Sequence, residues 1–388
     1  MIPVDAALAQ VFALITPLAT EDIELPHLAG RVLRAPVTAQ RDQPPFAASA
    51  MDGYAISPAG TDRYSVIGEA AAGHAFAGRI APGEAVRIFT GAPVPEGASR
   101  VVIQEDVTRD NDTISLIHPP ETSSHIRAKG TDFRAGDQIS APRRLRPAEL
   151  ALLAAMNCPR ATVSRRPDVA IIATGDELVM PGETPREDQI IASNAFALKA
   201  IAEDEGARAR ILPIACDTEV SLRAVLELAA DADLIVTIGG ASVGDHDLVG
   251  PVVEAMGARR AFYKVAMRPG KPLMAGSMGG AVLLGLPGNP VSSIVCGHLF
   301  MRPALRAMQG LGAYPMQTAT ATLDRDLPAN GARTHFMRAN LGPGGTIAPH
   351  PNQDSALLSI LCQADALLIH PAGDGPRKEG EQMRYIPL

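Results

Sequence analysis

Three loops in this chain combine glycine with acidic or hydroxyl side chains, and each joins an apolar run to a helical pattern. They are Thr174-Gly175-Asp176-Glu177, Gly239-Gly240-Ala241-Ser242-Val243-Gly244-Asp245-His246-Asp247 and Leu286-Pro287-Gly288-Asn289-Pro290-Val291-Ser292-Ser293. Glycine lets backbone N–H groups come close to a ligand, and the helix N-terminus beyond each loop carries partial positive charge. Taken singly, any of these glycines could serve the turn alone. Three such loops in register describe an anion or phosphate pocket. None is a Walker A loop and none has GxGxxG spacing, which disfavours ordinary ATPase and dehydrogenase chemistry.

Asp176, Glu177, Asp217, Asp245 and Asp247 fall on the same rim. Carboxylates beside a phosphate pocket suit a hard cation such as Mg²⁺, which bridges anionic substrates and neutralises charge developing on a phosphoryl group. Helix N-capping is the competing role for Asp217 and Asp247. Lys264, Arg268 and Lys271 lie within KVAMRPGKP (264–272). Three cations on a Pro/Gly-stiffened segment suit a tetrahedral oxyanion, with a solvated charged loop as the alternative.

A rival chemistry is present in Gly240-Ala241-Ser242-Val243-Gly244, which satisfies GxSxG and has His298, His335, His350 and His370 downstream as candidate bases. A serine hydrolase is therefore a second reading. The extra upstream glycine and the Asp-His-Asp run suit cation and phosphate binding better. Two further segments carry polar groups around glycine: PPFAASAMDGYA (44–55), with a Met-Asp-Gly turn, and RAKGTDFRAGD (127–137).

The elements that must hold these loops follow from periodicity. Strand-type runs at 168–173, 210–214, 234–238 and 282–284 alternate with helical patterns at 194–205, 218–230, 247–256 and 290–308. This predicts a doubly wound, three-layer α/β domain over 167–313, mainly parallel, with its ligand crevice at the carboxyl ends of the strands. Residues 39–136 show short β runs between Gly/Pro turns and read as a β-rich insert, or lid, domain. Residues 1–38 read as one or two amphipathic helices, and 143–160 as a helix returning the chain to the main body. With 137–166, residues 1–38 form an N-terminal helical and linking region. A small C-terminal β domain is expected over 314–388.

Composition narrows the classes. The chain has 388 residues and a net charge of −7, with 4% aromatics and no Trp, which argues against nucleic-acid binding. Its four cysteines lie far apart and form no CxxC pair, so a reducing, cytoplasmic setting is expected. The N-terminus does not read as a signal peptide, and Pro287, Asn289, Pro290 and His298 interrupt the longest apolar stretch, so no membrane span is expected.

Taken as a series, the segments resemble the molybdopterin molybdenumtransferase family, related to the gephyrin E domain. The blocks are PPFAASAMDGYA (44–55), IFTGAPVPEGASRVVIQED (88–106), IRAKGTDFRAGD (126–137), TGDEL (174–178), IIASNAFAL (190–198), TIGGASVGDHD (237–247), KVAMRPGKP (264–272) and LGLPGNPVSS (284–293). The resemblance implies an elongated homodimer of four-domain subunits, with the cleft between the α/β domain and the partner's β insert and C-terminal domain. It implies a reaction that takes adenylylated molybdopterin and molybdate as substrates, cleaves the nucleotide with Mg²⁺ assistance and releases AMP with the molybdenum-loaded cofactor. The adenylylated pterin is expected from a separate adenylyltransferase, through transient contact, as is delivery to cofactor-accepting enzymes. A non-catalytic pterin-binding or scaffold protein is the remaining alternative.

By the same resemblance Glu177, Asp217 and Asp247 hold or position Mg²⁺, with Asp176 next. Lys264, Arg268 and Lys271 bind molybdate or the pterin phosphate. Ser292 and Ser293 add phosphate contacts, and Asp52, Thr90 and Asp132 close the cleft from the partner. Thr174, Gly175, Ser193, Asn194, Gly239, Gly240, Ser242, Gly244, Pro287, Gly288, Asn289 and Pro290 complete the substrate-binding set. Two departures stand out: Arg268 replaces the first Lys of a Lys-Pro-Gly-Lys motif, and Ala195 follows Ser193-Asn194 where a second serine is common. The C-terminal domain matches only loosely, through Gln353-Asp354-Ser355 and the strand around Ala364–Leu368.

Overall fold

The runs DVAIIA, LIVTI and AVLLGL lack the apolar–polar alternation of a sheet with one wet face, and all three form strands buried on both sides. A computed structural model describes residues 1–57, 61–119, 122–240 and 248–388. They form two compact units, one of Met1–Glu21, Gly30–Arg34 and Val163–Leu388, the other of Asp22–Ala29 and Ala35–Thr162.

In the larger unit the chain runs β1 (Asp168–Ala173), α1 (Asn194–Asp204), β2 (Arg208–Ile211), α2 (Glu219–Glu227), β3 (Leu234–Ile238), α3 (Val249–Ala255), β4 (Arg259–Tyr263), β5 (Met274–Met278), β6 (Ala281–Leu286) and α4 (Pro290–Cys296). The sheet order is β2-β1-β3-β6-β5-β4. The first four strands are parallel, and β5 and β4 add antiparallel pairs. Alternate residues of β1 feed opposite cores. Val169 and Ile171 pack with Ala195, Leu198 and Ala202 of α1, while Ala170 and Ile172 pack with Leu222 and Leu226 of α2 and Val252 of α3. Helices therefore cover both faces, as the alternation of elements predicts.

The antiparallel pair was not expected from the sequence. Gly279 and Gly280, at φ 58° and 95°, join β5 to β6 in a two-residue turn that needs positive φ at both positions. The cationic segment 264–272 is then the connection between β4 and β5.

The C-terminal residues form a closed five-stranded ring. Its strands are β7 (Ala319–Leu323), β8 (Thr334–Gly342), β9 (Thr346–Pro349), β10 (Ala366–His370) and β11 (Gln382–Pro387). They pair in the order β8-β9-β7-β11-β10, and β10 pairs back onto β8. Leu323, Ala339, Ile347 and Leu368 fill its centre.

The smaller unit carries a six-stranded sheet in the order 100–103, 53–56, 84–88, 63–70, 113–116, 107–110. Two expectations are corrected at the sequence's N-terminal third. The helix read over 143–160 spans only Pro147–Ala155, because Arg143–Arg144 and Arg160–Ser164 are strands. Likewise 1–38 contains one α-helix, Val4–Ala13, followed by short strands and a 3₁₀ turn. In both places tertiary strand pairing overrides a weak helical pattern.

Candidate functional site

The carboxyl ends of β1, β3 and β6 open onto one cleft of about 570 Å³. Thr174, Gly175, Gly239, Gly240, Pro287 and Gly288, from the loops that follow these strands, line its floor, and Glu177 and Asp217 also line it. Ser193, Asn194 and Asn289 add polar side chains to the lining, with Pro290 beside them, at the starts of α1 and α4. Ten residues expected to touch substrate and two expected to hold the cation thus converge. Asp176 is absent from the lining, but its Oδ1 accepts the Asp217 N–H at 3.0 Å and so helps set Asp217 at the rim.

The competing capping role for Asp217 is removed by its neighbour. Thr218 is the N-cap of α2, and its hydroxyl oxygen accepts the Ser221 N–H at 3.2 Å. The Asp217 carboxylate is left to the cleft. At α1 the Asn194 side chain spans the floor instead of capping its own helix, with Nδ2 donating to Gly288 O at 2.7 Å. One loop is thereby fastened to another.

Glycine is required at the floor for steric reasons. A β-carbon on Gly239 would come within 2.8 Å of Thr174 O, and one on Gly240 within 2.5 Å of Val249 Cγ2; their φ angles are 92° and 60°. The role expected of the glycine N–H groups needs correction, however. Gly175 N–H donates to Ala215 O and Gly239 N–H to Leu286 O, each at 3.0 Å, so both continue strand ladders. Which carbonyl faces a loop N–H depends on the neighbouring strand and has no local signal. At α4 the Val291 N–H donates to Ser355 O at 3.1 Å, and Asn289 Nδ2 reaches Ser355 Oγ at 3.2 Å.

Ser292 and Ser293 do not face the cleft. They are 4% and 0% exposed, and Ser293 Oγ donates to Pro290 O at 3.0 Å. Pro272 lines the cleft, while Lys264, Arg268 and Lys271 lie outside the lining on the connection that leads to it. That connection is pinned by Lys264 N–H to Leu273 O and Val265 N–H to Lys271 O, both at 3.0 Å. Lys264 Nζ lies 5.0 Å from the centre of the Tyr263 ring. Ser242, Gly244 and Asp247, and with them the GxSxG serine, lie outside the described residues.

In the smaller unit Asp52 and Thr90 meet directly. Thr90 N–H and Thr90 Oγ1–H both donate to Asp52 Oδ1, at 2.7 and 2.8 Å. First the backbone bond and then the hydroxyl bond hold the Asp52 carboxyl below its usual range. Gly53, which follows, opens a strand in which a β-carbon would fall 1.9 Å from Val102 O, so the Met-Asp-Gly glycine serves close strand packing. Asp132 is exposed in a separate turn, its N–H donating to Gln43 O at 2.9 Å.

Sequence reasoning missed Leu178, Ile190, Ile191 and Pro272 in the lining. It also missed the support from the C-terminal ring. Arg338 N–H and Nε donate to Gln353 Oε1 at 2.9 and 3.1 Å, and Arg338 Nη1 donates to Asp354 O at 2.7 Å. These bonds hold the loop whose Ser355 meets the start of α4. The only sequence signal was the loose Gln-Asp-Ser match.

Among the described residues no three His, Cys, Asp or Glu side chains converge as a metal site. Glu177 and Asp217 nonetheless both line the cleft and carry hard oxygen donors, the donor type that a Mg²⁺-class cation takes. No helix among the described residues is long and apolar enough to cross a membrane.

Comparison with known proteins agrees along the chain. Residues 2–157 match the MoeA N-terminal region (domains I and II), 170–307 a probable molybdopterin binding domain, and 320–388 the MoeA C-terminal region (domain IV). The molybdopterin molybdenumtransferase of Nostoc sp. is 34% identical, over 95% of this chain and 89% of its own. That of Haemophilus influenzae is 34% identical over 96% and 95%. A solved molybdopterin biosynthesis MoeA protein from Pyrococcus horikoshii superposes with a TM-score of 0.81 at 29% identity, covering 100% of this chain and 99% of that one. With its three regions matched in order and its relatives aligned from end to end, this chain belongs to the molybdopterin molybdenumtransferase family.

Proposed function

We propose that this protein is a molybdenum-inserting transferase of molybdenum cofactor biosynthesis, taking adenylylated molybdopterin and molybdate and releasing AMP and the molybdenum-loaded cofactor. The observation that carries the reading is the meeting of Glu177 and Asp217 with the Gly175, Gly239 and Gly288 loops in one cleft. Thr218 caps α2 in place of Asp217, which keeps that carboxylate available. The glycine floor lets a phosphate-bearing ligand approach the backbone without a side chain in the way. Asn194 holds two of the floor loops at one spacing.

Mg²⁺ belongs to this proposal, with Glu177 and Asp217 as holders and Asp247 as a third candidate. When bound, it would neutralise charge developing on the phosphoryl oxygens as the nucleotide leaves. Lys264, Arg268 and Lys271 are assigned to the oxyanion or the pterin phosphate, as is appropriate to cations on a pinned connection. Asp52, Thr90 and Asp132 are assigned to substrate handling in a homodimer, and a cytoplasmic setting and transient contacts with a donor adenylyltransferase and cofactor acceptors complete the proposal.

The test is AMP release from adenylylated molybdopterin and Mg²⁺ by the purified protein, with and without molybdate. Molybdate-dependent release is expected. A folded preparation that releases no AMP under any of these conditions would overturn the transferase reading.

A further inference from the structure

Ile190 and Ile191 are 59% and 40% exposed, although each is a large β-branched apolar residue. They form a two-residue strand paired in parallel with Leu178–Val179, in the register Leu178 to Ile190 and Val179 to Ile191. The ribbon is anchored to the acidic wall, because Ile190 N–H donates to Glu177 O at 2.7 Å and Ala192 N–H to Val179 O at 2.9 Å. Nothing in this backbone pairing calls for isoleucine, since a threonine would satisfy the same ladder and its exposure. Leu178, Ile190 and Ile191 line the same cleft as the glycine loops, so one cavity has an apolar lip and a polar floor.

A cavity of about 570 Å³ is of a size that holds one small ligand. A ligand that fills both parts has a polar end and an apolar face, which in the function proposed above are a phosphate and a ring. We infer that the Ile190–Ile191 strand is a specificity-determining lip that packs against a heteroaromatic ring of the substrate whose phosphate lies on the glycine floor. This rests on the function proposed above. An adenylylated pterin carries such a ring at each end, adenine and pterin, and both offer a planar face to an aliphatic side chain.

The experiment compares the full-length wild-type protein with an Ile190→Thr/Ile191→Thr double variant, which keeps β-branching, and with Ile190→Thr alone as the milder change. Calorimetric titrations use AMP, 6-carboxypterin and ribose 5-phosphate, the last having phosphate but no heteroaromatic ring. The Kd for AMP, for 6-carboxypterin or for both is expected to rise roughly tenfold in the double variant, from lost apolar contact, while that for ribose 5-phosphate stays constant. Weakening of AMP alone assigns the lip to adenine, and of carboxypterin alone to pterin. Unchanged Kd values for both ring ligands overturn the inference, including the case in which the variant sediments as a smaller species and the lip is a contact between copies. A wild-type protein that binds none of the three defeats the functional reading and this inference together. Failure confined to the variant comparison defeats this inference alone.

Discussion

The Glu177 carboxylate lies folded over Gly175, so that a β-carbon on Gly175 would come within 2.1 Å of Glu177 Oε2. Gly175 also has φ +141°, which L side chains rarely adopt. The glycine at the end of β1 is therefore the seat of the acidic side chain that follows it. Gly175→Ala is expected to displace the carboxylate more than it harms the fold. Stability should fall by about 1 kcal/mol from backbone strain, while the Mg²⁺ concentration giving half-maximal AMP release rises roughly tenfold. Urea unfolding and a Mg²⁺ titration measure the two effects. An unchanged Mg²⁺ midpoint would separate Glu177 from cation binding.

The Asp52–Thr90 pair yields a second expectation, because both Thr90 donors act on one carboxylate oxygen. Thr90→Val removes the hydroxyl and keeps the backbone N–H, the larger of the two influences. The Asp52 pKa should move up toward the ordinary carboxylate range without reaching it. Because Asp52 is held low, its stabilising contact is present at neutral pH and lost as pH falls through its folded-state pKa. In the variant this loss should be smaller and complete at higher pH, because the folded-state pKa lies closer to the unfolded one. Carbon-13 NMR titration of the Asp52 carboxyl reads the change directly, and an unmoved midpoint would contradict it.

The parts of this molecule that are legible in its sequence are those set by local pattern. Unbroken apolar runs mark β1, β3 and β6, and glycine-bearing loops after them mark the cleft floor. The β5–β6 hairpin was legible too, since Gly279-Gly280 between apolar runs is a turn signal, but the alternation of strands and helices masked it. What could not be read is whatever depends on a distant partner. Gly175 and Gly239 look like free anion-binding donors until Ala215 and Leu286 supply the carbonyls that occupy them. Ser292 and Ser293 look like ligand groups until α4 turns them inward. Arg338, Gln353 and Ser355 support the cleft across 65 residues of chain, from Ser355 back to Pro290, with no periodicity to connect them.

Glu205, at the end of α1, is 1% exposed and receives Arg302 Nε at 2.8 Å, Arg306 Nε at 3.0 Å and Arg306 Nη2 at 2.8 Å. Its backbone carbonyl also accepts from Gln309 Nε2 at 2.7 Å. Removing one side of a buried ion cluster leaves the other charges uncompensated. Glu205→Ala should therefore destabilise the larger unit by about 3–5 kcal/mol, whereas Glu205→Gln, which keeps the shape and accepts one donor, should cost less. Urea midpoints of the two variants decide the order. Equal losses would show that charge, and not shape, is what the arginines need.

His335 is 7% exposed and faces Arg268 and His370 from the strands on either side of it. Burial first, then the charge of Arg268, with His370, Arg338 and Arg333 adding to it, pushes its pKa down to about 4. His298, buried beside Arg302, is also lowered to about 4. Both rings are neutral in the fold and protonate near 6.5 in the unfolded chain, so between these values the unfolded state binds more protons. The contribution of these two rings to stability is then full above pH 6.5, falls as pH drops toward 4 and levels below it. A shift of this size corresponds to roughly 3 kcal/mol for His335. His335→Asn removes that titration and leaves His298, so the decline of the urea midpoint between pH 6.5 and 4 should become about half as steep. A variant with the wild-type slope would show that His335 takes up its proton at the same pH in the folded and unfolded chains.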